Sequence, residues 1–278
     1  MDIPAFEFGK NWRHFNASYF NEHRLQLAAK SLQDFLGVQS LQGKSFADVG
    51  AGSGIDSFAA HKLGASGIVS FDYDDHCVEC CQALFGKAGK PQNWRIMKGS
   101  ALDEKFMSSL GQFDVVYSWG VLHHTGNMWK AIENTLKLVK PSGVFFLAIY
   151  NKADGFAIYP DGRFGPSSFW LMEKKIYTSL PWFLQNVIDY IVMSVLFVAY
   201  ILTLHNPFKV IRDHQLYFNK GMPWRINIKD WLGGYPYEYA TVQEIFAFAK
   251  ERGFSLENLT CNNGLLNNEF LLRKNVSP

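Results

Sequence analysis

The stretch from Ser45 to Asp72, SFADVGAGSGIDSFAAHKLGASGIVSFD, most constrains how this chain can fold. Phe46 to Val49 are apolar enough for a buried parallel strand, and Ile55 to Leu63 takes a helical pattern. Between them Gly50, Gly52 and Gly54 fall at alternate positions. Glycines permit positive φ and let a ligand come close to the backbone. A helix that starts near Gly54 aims its unpaired N–H groups at the same spot, which favours an anion. A second strand ends at Asp72, about 20 residues on, where nucleotide-binding βαβ units place a carboxylate for the ribose hydroxyls. Tight turns need glycine even without a ligand. Strand, turn, helix and spaced acid together point to a nucleotide site.

The spacing separates two ligand classes. The dinucleotide fingerprint G-x-G-x-x-G requires glycine at position 55, and Ile55 stands there. The chain instead reads D-x-G-x-G-x-G from Asp48 to Gly54. That pattern resembles motif I of the class I S-adenosylmethionine (SAM) methyltransferases. YSWGVLHHTGNMWKAIENTLKLVKPSGVFFLAIYN, from Tyr117 to Asn151, is similar to the motif IV to V region of one branch of that family, the branch resembling ubiquinone-biosynthesis O-methyltransferases. The resemblance covers roughly residues 45–150. It implies an α/β fold with a Rossmann-like seven-stranded sheet, mostly parallel with the last strand antiparallel, and a helical, aromatic insertion after strand 5. It implies SAM as cofactor and S-adenosylhomocysteine as product. Asp48, Gly50, Ala51, Gly52 and Gly54 then belong to the turn around the methionine end, and Asp72 and Tyr73 to the ribose side. Ser100 and Ala101, in the GSALD turn, flank the adenine, while Trp119 and Trp12 complete the cofactor set. Ser100 departs from the family pattern, which has an acid directly after the glycine. Asp103 either supplies that carboxylate or caps the next helix.

Methyl transfer from a sulfonium is an in-line displacement, so the protein mainly aligns the partners and excludes water. An oxygen nucleophile also needs a general base with a pKa near neutrality. His123 and His124 follow the fourth strand at the sheet edge where the methyl would emerge. Adjacent residues there point in different directions: His123 is the one assigned to the pocket and His124 to packing or helix entry. The alternative is that neither acts as a base. The expected activity is methylation of a small-molecule or glycan-like acceptor, on oxygen. RNA or protein methylation, or a non-catalytic module at a membrane, are the alternatives.

At 278 residues the chain holds one large domain or a domain with a sizeable insertion. Its 48% hydrophobic and 19% charged residues are a globular balance. A net charge of +2 with no basic block shows no nucleic-acid footprint. MDIPAFEFGK has no signal pattern, so the expected location is the cytoplasm. Cys77, Cys80 and Cys81 share one helical stretch with no matching second pair, which reads as packing and not as a metal site.

Four regions are expected. Residues 1–40 form an aromatic arm, either packed on the core or serving as a lid, and then a helix over 18–37. Residues 41–150 form the cofactor-binding core, with strands at 93–97, 113–119 and 144–150 and a turn at Pro141-Ser142-Gly143. Residues 151–240 form a substrate cap: a loop to Ser168, then apolar helices over 169–180 and 187–204. Asp189 is the only charge in the second of these, which reads first as a buried helix, second as an interfacial or lipid-facing one, third as a membrane span. A lipid-linked acceptor or peripheral membrane contact is thus among the partners considered. Trp224, Trp231, Tyr235 and Tyr237 make the end of the cap aromatic. Residues 241–278 return to the core, with a capping box at Thr241 and Glu244, a stop at Gly253 and two closing strands.

Overall fold

The computed structural model describes residues 6, 8–155, 165–217, 223–262 and 264–276. Parts of the expected arm, of the loop after Asn151 and of the segment Lys220–Arg225 lie outside them. Seven strands form one sheet: β1 Ser45–Val49, β2 Gly67–Asp72, β3 Trp94–Lys98, β4 Phe113–Trp119, β5 Val139–Tyr150, β6 Phe254–Thr260 and β7 Asn267–Lys274. Their spatial order is β3-β2-β1-β4-β5-β7-β6. β1 pairs parallel with both β2 and β4, whereas β7 runs antiparallel to β5 and β6. This is the expected mostly parallel sheet with a reversed last strand.

Buried on both faces, the central strands read as near-continuous apolar runs. On one face Ala47, Val49, Phe71 and Val116 pack with α6 (Met128–Lys137) and α11 (Val242–Glu251). On the other, Phe46, Ile68, Val115 and Tyr117 pack with α2 (Glu22–Leu36) and α3 (Ile55–Lys62). Gly37 stops α2 in the left-handed conformation, and Thr241 with Glu244 forms the capping box that starts α11.

The Pro-Ser-Gly turn is a local irregularity inside β5. Phe113 pairs with Val139, but Val115 pairs with Val144, so the intervening β5 residues bulge out of the ladder. The N-terminal arm is helical, α1 Phe8–Ser18. α4 (Asp75–Lys87) and α5 (Glu104–Ser109) complete the first half. Between β5 and α11 lie α7 (Pro166–Ser179), α8 (Trp182–Leu202), α9 (Pro207–Tyr217) and α10 (Trp224–Gly233). They enclose a small core of their own, Tyr177, Trp224, Ile228 and Leu232. The buried reading of the apolar helix needs correction. α8 packs one face on this core and leaves Val187, Ile191, Val195 and Val198 each more than half exposed. Three short helices cannot wrap a helix that is apolar all round.

Candidate active site

The site grows from the turn after β1. Gly50 and Gly52 have φ of 75° and 52°, the left-handed region. Space is short there as well, severely at Gly50 and by a few tenths of an ångström at Gly52. A Cβ on Gly50 would lie 2.2 Å from a Val121 methyl, and one on Gly52 3.1 Å from the Trp12 indole nitrogen. The amides of Gly50 and Ala51 both donate to the Phe71 carbonyl at 3.0 Å, tying the turn to β2. Asp72, at the end of β2, accepts from Gly52 N–H at 2.9 Å and from Asp74 N–H at 3.0 Å, one bond to each oxygen. Burial pushes its carboxyl pKa up and these bonds pull it down. Two N–H bonds leave carboxylate lone pairs over, which suits the ribose hydroxyls of the expected cofactor.

Asp48 lines the same cavity, but one of its oxygens is engaged from behind. Ser57 on α3 donates to it at 2.5 Å, Ser57 and Ser70 hydroxyls lie 2.6 Å apart, and Trp94 Nε1 donates to Ser70 at 2.7 Å. The chain of bonds bolts α3 and β3 to the motif strand.

The cavity holds about 1030 Å³. Gly50, Ala51, Gly52, Asp72, Tyr73, Ser100, Ala101, Trp12 and Trp119 all border it. Gly54 does not; it stands behind the turn, where a Cβ would meet the Cys81 backbone at 2.9 Å. Trp119 donates its indole N–H to Glu269 at 2.6 Å. Asp103 is the N-cap of α5, accepting from Lys105 and Phe106 N–H, and has no place in the cavity wall. α1 roofs the turn: Gly9 N–H donates to Asp74 at 3.1 Å and Asn16 donates to the Ser53 carbonyl at 2.8 Å. The two readings of the arm thus merge, since α1 is packed on the core and forms one wall of the cavity.

The histidine pair is placed opposite to expectation. Both sit in a 3₁₀ turn, Leu122–His124, which turns His123 inward and His124 to the cavity. His123 is fully buried, and its Nδ1 accepts the Tyr150 amide at 3.2 Å. His124 Nδ1 lies 2.7 Å from the Pro236 carbonyl, which places a proton on that nitrogen. Burial lowers both pKa values, that of His124 to about 4. Neither is matched to proton abstraction near neutrality.

Residues from the cap and the last hairpin complete the walls; the sequence reading placed Trp231 and Tyr235 in the substrate cap but missed Asp230, Tyr150 and Asn267. Asp230 on α10 borders the cavity and accepts from Asn11 of α1 at 2.5 Å, and burial raises its pKa to about 7. Tyr150, Trp231 and Tyr235 stand near it in the wall. Asn267, at the start of β7, contributes a buried side-chain oxygen with no partner among the described residues. Only the aromatic density of the cap hinted at this half. Nearby Lys174 is buried in a box of Trp170, Trp231 and Tyr237, donates to the Trp231 carbonyl, and has its pKa lowered to about 8 by burial.

Residues 20–197 match a family model described as a methyltransferase domain. Among curated proteins, the chain is 28% identical over 120 residues to a ubiquinone biosynthesis O-methyltransferase of Methylobacterium sp. (strain 4-46), covering 43% of this chain and 46% of that protein. To the enzyme of the same name from Paracidovorax citrulli it is 32% identical over 124 residues, 44% of this chain and 50% of that one. The chain thus spans about half the length of the curated relatives it matches. Among solved structures, magnesium protoporphyrin IX methyltransferase from Synechocystis PCC 6803 with bound S-adenosylhomocysteine superposes at a TM-score of 0.54 and 14% identity, over 95% of this chain and 93% of that one. A putative SAM-dependent methyltransferase from Methanococcus maripaludis gives 0.52 at 15% identity, over 100% and 99%. At these identities the two structures share the fold.

Proposed function

Because the chain belongs to the methyltransferase-domain family, the class I SAM methyltransferases, we propose that it methylates an oxygen of a small-molecule acceptor held between the sheet edge and the cap. The observation that carries this reading is a single cavity with two unlike halves. One half is the glycine turn with Asp72, and the other holds Asp230, Tyr150, Trp231 and Asn267. About 1030 Å³ is room for a nucleoside-sized ligand and a modest acceptor, at the upper end of small-molecule sites. α1 and α10 wall the space on both sides, which favours a small acceptor over RNA or a folded protein.

SAM bound at the turn supplies an electrophilic methyl group. The protein's own residues do the rest. Asp72 holds the ribose hydroxyls, and Trp12 and Tyr73 cover the cofactor half. The aromatic walls keep water from the reacting centre. Asp230, with a pKa near 7, is the group matched to take the proton from an acceptor hydroxyl. Asn11 holds one of its oxygens and fixes its direction. Neutral His124 stays as a positioning residue on Pro236.

The test is calorimetry with S-adenosylhomocysteine, then a panel of hydroxylated and amine acceptors read out by S-adenosylhomocysteine release. Binding and turnover on hydroxyl compounds are expected. No binding refutes the nucleotide site, and turnover confined to amines refutes oxygen as the acceptor atom.

A further inference from the structure

We propose that the outer face of α8, with the adjoining faces of α7 and α9, docks on an anionic lipid surface. The inference stands apart from the identity of the acceptor. α8 is 21 residues long, about 30 Å, and among the described residues it is the one helix long and apolar enough to cross a membrane. Its inner face cannot face lipid. Ile188, Val192, Met193 and Leu196 pack on Trp224 and Ile228, and Asp189 accepts the Tyr177 hydroxyl at 2.6 Å. A helix fixed to its own fold along one side lies along a membrane surface and does not span it.

The outer face is apolar over its full length. Val187, Ile191, Val195, Val198, Ile201 and Leu202 are 51–78% exposed. Phe169, Met172 and Ile176 on α7 and Phe208 on α9 extend the patch. A folded chain rarely leaves so continuous an apolar surface to water. Trp182 and Phe183 at the start of α8, both more than half exposed, are side chains suited to the headgroup level.

Charge decides the occupant. From Gly165 to Asp213 the acids are Glu173, Asp189 and Asp213; Asp189 is buried, Glu173 is partly buried, and Asp213 is paired with Arg212 at 3.1 Å. With Arg212 offset by Asp213, Lys175 and Lys209 are exposed and, among the described residues, have no acid on the face beside them, so the net charge this region shows to its surroundings is cationic. Arg225 adds to the rim, with its guanidinium 5.0 Å from the centre of the exposed Tyr190 ring. An apolar stripe edged by cations matches acyl chains beneath anionic headgroups. A second copy of the chain matches poorly. Two-fold pairing of α8 on α8, antiparallel, would bring Lys175 of one copy towards Lys209 of the other.

The test is co-sedimentation of the full chain with vesicles of phosphatidylcholine alone, or with about 30% phosphatidylglycerol added. Binding to the anionic vesicles is expected, weakened by about 0.5 M salt. The pair Ile191→Glu and Val195→Glu, both surface positions, should cut it about tenfold or more, as should Lys175→Glu with Lys209→Glu. Urea midpoints equal to wild type show that the variants are folded. Absence of vesicle binding, equal binding by the variants, or equal binding to uncharged vesicles overturns the proposal. So does light scattering that shows a dimer dispersed by Ile191→Glu with Val195→Glu, because a second copy then covers the face.

Discussion

Asp72 and Asp230 are both carboxylates bordering one cavity, and their surroundings give them different tasks. Asp72 receives two backbone N–H bonds and a turn shaped around it, which partly offset the burial that raises its pKa and aim its oxygens for binding. Replacing it with Ala should weaken S-adenosylhomocysteine binding by about 1.5–3 kcal/mol, the range for hydrogen bonds to a charged group. Calorimetry that finds unchanged affinity would remove Asp72 from the ribose. Among the described residues Asp230 has one side-chain bond and no cation beside it strong enough to offset burial, which raises its pKa to about 7. A base must be unprotonated, so turnover should rise with pH through about 7 and level off above it. Asp230→Asn should lower kcat by about 10²-fold or more and abolish that rise. The same shift acts on stability with a definite sign. The folded state holds this proton up to about pH 7, whereas the unfolded chain releases it near pH 4. Its stabilising contribution is therefore full below pH 4 and lost as pH rises to 7. Relative to wild type, Asp230→Asn should gain stability between pH 5 and pH 8 in urea titrations. If the difference between the two proteins stays constant with pH, the raised pKa is wrong.

At the scale of elements, α1 is the part whose function depends most on its position. It contributes Trp12 over Gly52, holds Asp74 through its first turn, and reaches Asp230 through Asn11. Trp12→Ala should speed S-adenosylhomocysteine release about tenfold, equivalent to about 1.4 kcal/mol, and leave association nearly unchanged. An unchanged dissociation rate in stopped flow would make α1 a packing element only. The sequence foretold some elements better than others for physical reasons. Phe113–Trp119 was legible to the residue, because a strand buried on both faces leaves a largely apolar run, interrupted here only by Asp114 and Ser118. The glycine turn was legible because close approach restricts its residue types. His123 and His124 were not separable, since the choice of inward residue belongs to the 3₁₀ turn and its contact with Tyr150, far along the chain. α8 was misread because hydropathy records how apolar a helix is and not what covers it. Asp230 carried no signal: its environment is assembled from α1, α10 and β5, and no spacing encodes that meeting.

For the whole molecule, the cavity sits where the strand order reverses, between β1 and β4, at the carboxyl ends of the parallel strands. The sheet supplies only one side of it. The cap is joined to the other parts by specific bonds, among them Asn11 to Asp230, the Phe6 amide to the Tyr235 carbonyl at 2.8 Å, and the Glu238 amide to the His123 carbonyl at 2.9 Å. α10 stands at the centre of this arrangement. One side of it, Asp230 and Trp231, borders the cavity, and the other, Trp224 and Ile228, packs against the cap core. A ligand in the cofactor half touches α1 and, through α1, the cap. S-adenosylhomocysteine at about 100 times its Kd should then stabilise the chain by about 2.7 kcal/mol. The gain should appear as slower amide exchange in α1 and α10 as well as in the glycine turn, with the outer face of α8 unaffected. Protection confined to the turn and β2 would mean that the cap closes independently of the cofactor. In that case the Asn11–Asp230 bond, and with it the direction of the proposed base, would be set by the acceptor alone.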